Sequence, residues 1–356
     1  MKEPEEKAAK PEQESTDKVT VIVMCITTTV VSVSMVLLNK AIVLSVPFSG
    51  GLVLLQNTAT IILVQSYKGC RVPKDIGWQA IREATPCALL FGINTFTSMI
   101  SLTYLSVTAF TILKNTQSIL SYPLDYYVRG EKLKPVSIYL LFTVLLGTCA
   151  YCGRDLRANL NGLVWALAHL ISSTVYAVLT KMRLQADGDT NDKLTQALDL
   201  AWYNNALSTP IVAGAAALQA FTLREPLIKA VCGLRCQIMI AISCFGGCAM
   251  SVTSLRTQGL MSPVTFLVFN NLNKIPAILI STALWPQLET ANTTQEIMGI
   301  VLSLYGGFLY SLSKQGDVNP AALFISAALS IAIIPLVVLG ELAEQRNAQV
   351  LNITVL

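Results

Sequence analysis

Long apolar runs, each about 20 residues in length, constrain the fold of this chain more than any other feature. A helix of that length crosses the roughly 30 Å hydrocarbon core of a bilayer, and the short segments between the runs hold nearly all of the charge. Only 13% of the residues are charged, whereas a soluble domain has about a quarter. This pattern excludes a soluble globular fold and predicts an all-α integral membrane protein.

Ten of the runs are predicted to be transmembrane helices with short connections. Their approximate bounds are 19–46, 48–67, 85–105, 108–128, 136–152, 160–182, 197–221, 231–256, 263–285 and 295–314. A further apolar stretch, 321–340, is compatible with either an eleventh span or an interfacial helix.

The predicted spans divide the chain into three parts. Residues 1–18 are rich in Lys, Glu and Pro and are predicted to form a disordered cytosolic tail, too charged to be a signal peptide. Residues 19–315 form the predicted ten-helix domain. Residues 316–356 form a C-terminal extension that contains the candidate eleventh span.

The distribution of lysine and arginine predicts the orientation in the membrane. With a cytosolic N-terminus, sixteen of the 25 Lys and Arg residues fall on the cytosolic side and six on the opposite side. The sequons at Asn292 and Asn352 fall on that opposite, lumenal side if the last apolar stretch spans. An organelle of the secretory pathway is therefore allowed.

A weak internal repeat relates the fourth and ninth spans. When residues 106–115 are laid over 262–271, a serine, a phenylalanine and an asparagine coincide. Equivalence of these spans implies two halves of five helices, and an odd number of spans per half requires the second copy to be inverted. The prediction is ten transmembrane helices in two inverted five-helix repeats.

Nine cysteines raise the question of a metal or redox site. Most lie within apolar runs, where small thiols pack between helices. Cys149 and Cys152 form a C-x-x-C, but the chain has one histidine and no carboxylate cluster nearby. No metal site and no cofactor are predicted.

Three basic residues remain inside the predicted spans: Lys40, Lys114 and Lys274. A charge near the bilayer centre costs about 2.5 to 3.5 kcal/mol, so three of them indicate a function. Asp125 and Asp199 lie near span ends, which leaves the lysines without an evident acidic partner and favours an anionic ligand. The alternative is snorkelling to the headgroups, most of all for Lys40 near its lumenal span end.

The seventh span carries Trp202-Tyr203-Asn204-Asn205, followed by Pro210, which invites a kink. Adjacent asparagines are costly in apolar surroundings unless they are hydrogen bonded. Their amides can satisfy both the donors and the acceptor on the edge of guanine. Base recognition is one interpretation, and hydrogen bonding between helices is the other.

The ninth span crowds three amides and a cation into a turn and a half at Asn270, Asn271, Asn273 and Lys274. A lysine for phosphates and amides for hydroxyls are the groups that a sugar-phosphate site needs. Ser251 of the eighth span either joins them or bonds back to its own helix.

These motifs resemble those of the nucleotide-sugar transporters of the drug/metabolite transporter superfamily, specifically the GDP-mannose transporters of the Golgi. The family's F-Y-N-N corresponds to Trp202-Tyr203-Asn204-Asn205, and its G-A-L-N-K to Asn270-Asn271-Leu272-Asn273-Lys274. Further similarities, within roughly residues 19–315, are Asn39-Lys40, Lys114-Asn115 and Ser313-Lys314-Gln315.

The resemblance implies a carrier, not an enzyme, that exchanges lumenal GMP for a cytosolic GDP-sugar by alternating access. The expected location is the Golgi membrane or that of the endoplasmic reticulum, with no nucleic acid partner and with a homodimer left open. The implied roles are nucleotide binding by Trp202, Tyr203, Asn204 and Asn205, phosphate binding by Lys114, Lys274 and Ser251, and sugar binding by Asn270, Asn271 and Asn273, with Lys40 and Asn115 as further polar residues.

One departure from the family pattern bears on the substrate. Asn270-Asn271 replaces Gly-Ala and fills space where the family places the sugar. The resemblance therefore supports the GDP part of the substrate more strongly than mannose as its sugar. A UDP-sugar or sugar-phosphate carrier of the same superfamily is the alternative. A membrane glycosyltransferase would need an acidic pair or a D-x-D motif, and a proton-coupled exporter would need a carboxylate in the membrane, where lone His169 is expected only to pack.

Overall fold

A computed structural model of the chain contains helices and no strand in the residues it describes, which are 11–46, 48–69, 77–120, 134–158, 160–186, 193–223, 233–261, 263–286, 294–313, 318–333 and 335. The helices, numbered in chain order, are α1 (Pro11–Ser45), α2 (Ser49–Tyr67), α3 (Trp78–Tyr104), α4 (Val107–Leu113), α5 (Pro135–Ala158), α6 (Leu160–Ala186), α7 (Lys193–Leu223), α8 (Leu234–Leu260), α9 (Pro263–Leu272), α10 (Lys274–Leu284), α11 (Thr294–Ser313) and α12 (Pro320–Ile333).

The all-α prediction is confirmed, whereas the count of ten spans is not. Within the described ranges, six helices are long and apolar enough to cross a membrane: α1, α3, α5, α6, α8 and α11. The other four predicted spans differ for physical reasons. Helices α2 and α7 bury amides inside the protein, including Asn57 and Asn204, and the fourth and ninth spans are interrupted.

Both interruptions fall at a lysine. Helix α4 ends at Leu113 and continues as a 3₁₀ turn over Lys114–Thr116. Helix α9 ends at Leu272, and α10 begins two residues later at Lys274. The second break follows from Pro276, because its ring clashes with the carbonyl four residues earlier, at Leu272, and it has no N–H to donate.

The ends of the predicted segments coincide only in part with the described residues. Helix α1 begins at Pro11, inside the predicted tail, since proline fits a first helical turn and the Glu and Gln that follow favour helix. Residues 1–10, 121–128 and 336–340 lie outside the described residues, as do Lys314 and Gln315.

Helix α4 lies at the centre of the bundle, with all seven of its residues buried. Around it, α5 packs on α11, α3 on α6 and α7, α2 on α7, and α1 on α8. Large apolar side chains instead cover the outside, where Leu218 is 74% and Phe221 79% exposed. An apolar exterior around polar buried positions is the arrangement expected of a multi-pass membrane protein.

The tightest helix contact joins α5 and α11 through glycines. A Cβ atom on Gly147 would lie 2.5 Å from the backbone nitrogen of Ser303 and 2.8 Å from the carbonyl oxygen of Gly299. Backbone atoms cannot move aside as a flexible side chain can. Gly147 therefore sets the distance between the two helices.

We expect Gly147→Ala to lower the melting temperature of the purified protein by several degrees, because overpacking a close contact costs about 1 to 3 kcal/mol. The matched control is Gly214→Ala on α7, where nothing lies within 4 Å of the added Cβ. Alanine favours helix by about 1 kcal/mol over glycine, so the control should melt at an unchanged or higher temperature. Equal melting of both variants would contradict the close contact.

Helix α12 packs lengthwise along α5 and α11. Its start joins the apolar cluster of Leu140 and Leu309, through Ala322 and Leu323. Its end, at Ile333, packs in a second cluster with Ala150 and Leu302. Ser326 between them is fully buried.

Candidate functional site

Lys274 and its two amide partners form the centre of the site. Its Nζ donates to Oδ1 of Asn115 at 2.5 Å and to Oδ1 of Asn271 at 2.8 Å. Asn115 donates in turn to Ser303 Oγ at 2.9 Å. We name Lys114, Asn115, Asn271 and Lys274 the lysine cluster, which joins the breaks of the fourth and ninth spans to α11.

Both N–H groups of the Asn271 side chain already have partners inside the protein, so neither can donate to a ligand. Its Nδ2 donates to the carbonyl of Gly307 at 2.9 Å and to Ser311 Oγ at 2.8 Å, while Oδ1 accepts from Lys274. The geometry therefore favours a positioning role for Asn271, which holds the ammonium group of Lys274 in place.

The lysine cluster carries positive charge, and the described residues place no anion beside it. Lys114 Nζ lies 5.4 Å from the centre of the Phe110 ring, and the two ammonium groups repel each other. In the described part of the chain, no carboxylate forms an ion pair with Lys114 or Lys274. Two half-buried cations held only by neutral groups among the described residues are costly, which points to an anionic ligand as the missing partner.

In the predicted nucleotide-binding motif of α7, Tyr203, Asn204 and Asn205 are buried and Trp202 is half-buried. Asn204 Nδ2 donates to the Tyr176 hydroxyl at 3.0 Å, and Asn204 Oδ1 is buried without a partner. Asn205 donates to the carbonyl of Ala201 in its own helix at 2.7 Å. Trp202 packs edge-on against Tyr203, with ring centres 5.4 Å apart, and its buried Nε1 has no partner.

Sequence reasoning missed Arg183, which it assigned to a cytosolic loop. The guanidinium lies 5.7 Å from the centre of the Tyr203 ring, and its Nη1 is buried without a partner. A signal was present in the sequence: Tyr176, Thr180 and Arg183 are spaced by four and three residues and so share one face of α6. Arg256 of α8 also has a buried, unpartnered Nε.

The remaining predicted polar residues, Asn270, Asn273 and Ser251, are half-buried. Asn273 occupies the break between α9 and α10, and its buried Oδ1 has no partner. Asn270 and Ser251 are half-buried on α9 and α8. His169 packs against Phe110 with ring centres 5.1 Å apart, and its Nδ1 lies 3.1 Å from the carbonyl oxygen of Asn94.

Two hydrogen bonds of Lys40 lie outside the lysine cluster. Lys40 caps the end of another helix. Its Nζ donates to the carbonyls of Leu102 at 2.8 Å and Leu105 at 2.9 Å, at the C-terminus of α3. A cation at that end offsets the unpaired carbonyls and the helix dipole. Lys40 is 4% exposed, which rules out snorkelling in this structure.

We expect Lys40→Met to destabilise the protein without weakening ligand binding, because it leaves buried carbonyls at the end of α3 unpaired. The melting temperature should fall by several degrees, while the substrate concentration for half-maximal uptake stays within about twofold. An unchanged melting temperature with a tenfold higher half-maximal concentration would place Lys40 in the binding site instead.

A comparison with solved structures bears on the fold alone. One crystal structure superposes on this chain with a TM-score of 0.51 at 14% identity, covering 83% of this chain and 98% of its own length.

Curated relatives cover most of the chain at low identity. The GDP-mannose transporter GONST2 of Arabidopsis thaliana is 24% identical over 291 residues, 80% of this chain and 76% of the relative. The GDP-fucose transporter 1 of Arabidopsis thaliana is 24% identical over 296 residues, 79% and 82% of the two chains. The UDP-galactose/UDP-glucose transporter 7 of the same plant is 24% identical over 324 residues, 88% and 96% of the two chains.

These relatives agree with the resemblance to nucleotide-sugar transporters that the motifs indicate. The model of the Triose-phosphate Transporter family matches residues 19–311, which include both interrupted spans and every residue of the lysine cluster. The chain therefore belongs to the Triose-phosphate Transporter family, within the drug/metabolite transporter superfamily.

Proposed function

We propose that this protein carries a GDP-sugar across an intracellular membrane in exchange for GMP, by alternating access. The observation that carries the proposal is the lysine cluster, in which two ammonium groups lie at helix breaks inside the bundle and contact only neutral groups among the described residues. A diphosphate supplies the missing negative charge. The names of the relatives, which include GDP-mannose and GDP-fucose transporters, support guanine as the base.

Each group of residues has a role in this proposal. Lys114 and Lys274 offset the charge of the diphosphate, with Ser251 as a further contact. Asn204 accepts from the base through its unpartnered Oδ1, near Trp202 and Tyr203. Asn270 and Asn273 meet the sugar, with Asn271 and Asn115 fixing Lys274 from behind. No covalent chemistry is required.

The proposed architecture is ten spans in two inverted five-helix repeats. Asn115 and Asn271, which coincide in the repeat alignment, both accept from Lys274 and both donate to α11, and this parallel supports the repeat. The Lys68–Asp199 ion pair supports a common, cytosolic side for the end of α2 and the start of α7. The lengthwise packing of α12 supports an eleventh span.

The proposed compartment is the Golgi membrane or that of the endoplasmic reticulum. Support comes from the lysine and arginine bias, which gives the protein a cytosolic and a lumenal side, and from the transporters it resembles. A homodimer remains compatible with this proposal.

Uptake of labelled GDP-mannose into liposomes that contain the purified protein tests the proposed function. Vesicles loaded with GMP should take up the label several times faster than empty vesicles. In an exchanger, GMP bound from inside the vesicle allows the binding site to reopen to the outside. Liposomes without protein are the control. Equal uptake by loaded and empty vesicles would contradict exchange, and absence of uptake would contradict GDP-mannose as substrate.

A UDP-sugar carrier is the second candidate, favoured by the match to the UDP-galactose/UDP-glucose transporter over 88% of this chain. Competition by unlabelled GDP-fucose, UDP-galactose and UDP-glucose in the same vesicles separates the two. Inhibition by GDP-fucose alone supports the guanine assignment, whereas stronger inhibition by the UDP-sugars would reverse it.

A further inference from the structure

Arg183 is a charged residue that the roles proposed above do not use. Its guanidinium packs over the Tyr203 ring, and its buried Nη1 has no partner. A buried N–H donor without a partner destabilises the protein, so a group of this kind is expected to meet an acceptor in some functional state. No acidic residue among the described ones pairs with it.

Arg183 and Asn204 lie on two helices that contact each other through both residues. On α6, Arg183 lies two turns beyond Tyr176 on the same face. On α7, Tyr203 beneath the guanidinium is adjacent to Asn204, and Asn204 donates to the Tyr176 hydroxyl. The two contacts bridge the same pair of helices, so the guanidinium and the Asn204 amide belong to one polar surface.

The helix face that carries Arg183 is held in place. Cys87 Sγ and Thr180 Oγ1 lie 3.3 Å apart, which ties α6 to α3. The ring of Phe91, also on α3, lies 5.7 Å from that of Tyr176. Arg183 therefore extends from a fixed scaffold, and an arginine fork on a rigid base favours recognition by geometry over charge alone.

The unpartnered atoms of this surface form a pattern of donors and an acceptor. Arg183 Nη1 and Trp202 Nε1 are donors, and Asn204 Oδ1 is an acceptor. Guanine presents O6 and N7 as adjacent acceptors, with N–H donors at N1 and N2. Uracil has no second acceptor beside O4, and adenine replaces O6 with a donor.

We propose that Arg183 is a specificity-determining residue that reads the base, with its guanidinium donating to O6 and N7 of guanine while Asn204 accepts from the N1–H and N2–H groups. The inference rests on the proposed function, because it assigns the base end of the same site. It adds a residue outside the Trp202–Asn205 motif, and a guanidinium fork would discriminate guanine from uracil more sharply than amides alone.

The experiment compares wild type, Arg183→Lys and Arg183→Gln in the liposome assay, with GDP, UDP, guanosine and 7-deaza-GDP as competitors. Lysine keeps the charge and loses the fork, so we expect inhibition by GDP and guanosine to weaken about tenfold, with inhibition by UDP changed less than about twofold. The matched control is Arg235→Lys on the exposed start of α8, which should leave all four unchanged.

The analogue 7-deaza-GDP lacks N7 and tests the same contact without changing the protein. It should inhibit wild type about tenfold less than GDP does, and Arg183→Lys should no longer distinguish the two. This arm remains informative if an Arg183 variant fails to fold.

Three results would overturn the inference. Equal weakening of GDP and UDP, with guanosine unaffected, would mean that Arg183 contacts phosphate. Equal inhibition of wild type by GDP and 7-deaza-GDP would exclude the N7 contact. Failure of wild type to take up any GDP-sugar would remove the proposed function and this inference together, whereas the first two results leave the function standing.

Discussion

Replacing Lys274 with glutamine is expected to lower the rate of GDP-mannose uptake at limiting substrate by about 100-fold or more. The ammonium group is aimed by Asn115 and Asn271, and hydrogen bonds to charged groups contribute about 1.5 to 3 kcal/mol each. Losing one or two such contacts to the diphosphate amounts to about 3 kcal/mol, which corresponds to about 100-fold.

Lys274→Arg should restore little of that activity. The larger guanidinium must fit between two amides that are themselves anchored to α11, and overpacking costs about 1 to 3 kcal/mol. Lys193→Gln, at the first residue of α7, is the matched control and should transport normally. Uptake by Lys274→Gln within threefold of wild type would contradict the role of Lys274 in substrate binding.

Replacing Lys114 with glutamine should lower uptake by about 30-fold or more, since it removes the second cation that meets the diphosphate. Here arginine should restore a large part of the activity. Lys114 Nζ lies over the Phe110 ring and donates to no acceptor among the described residues, so no fixed hydrogen-bond geometry has to be preserved. Arginine also stacks well on an aromatic face.

The opposite responses of the two lysines to arginine are the informative comparison. Uptake should be measured for both arginine variants at the same density of reconstituted protein, with melting temperatures recorded for each. An inactive Lys114→Arg that melts normally, or a fully active Lys274→Arg, would contradict the difference in how the two ammonium groups are held.

Hydropathy and the placement of charge predict much of this fold, because they act locally along the chain. The outer helices are recognisable as long apolar segments, whereas the ninth span was predicted as continuous over 263–285 and its break before Pro276 was not predicted. The buried amides of α2 and α7 lower the hydropathy of these two helices, although both were predicted as spans, at 48–67 and 197–221. These amides are buried in the bundle and can form hydrogen bonds there, as Asn57 does with Ser208. Hydropathy averaged along the sequence does not report such contacts between distant residues.

The sequence indicates unusual residue types in the candidate site, but not how their side chains contact one another. The sequence indicates Lys114 and Lys274 as unusual charges, but it does not pair Lys274 with Asn115, which lies 159 residues away. In the sequence, Lys40 resembles the other two lysines, since it also lies in an apolar span beside an asparagine. Only the structure shows that it caps the end of α3. The contact of Arg183 with Tyr203 was not predicted, because a basic residue near a span end ordinarily belongs to a loop.

The central claim is that the lysine cluster binds the diphosphate of a guanine nucleotide, and a calorimetric titration of the purified protein with GDP-mannose and UDP-galactose tests it most directly. Wild type should bind GDP-mannose at least tenfold more tightly than UDP-galactose, and a variant with both Lys114→Gln and Lys274→Gln should bind neither measurably. Equal affinity for the two ligands would contradict the guanine assignment, and unchanged binding by the double variant would contradict the role of the lysine cluster.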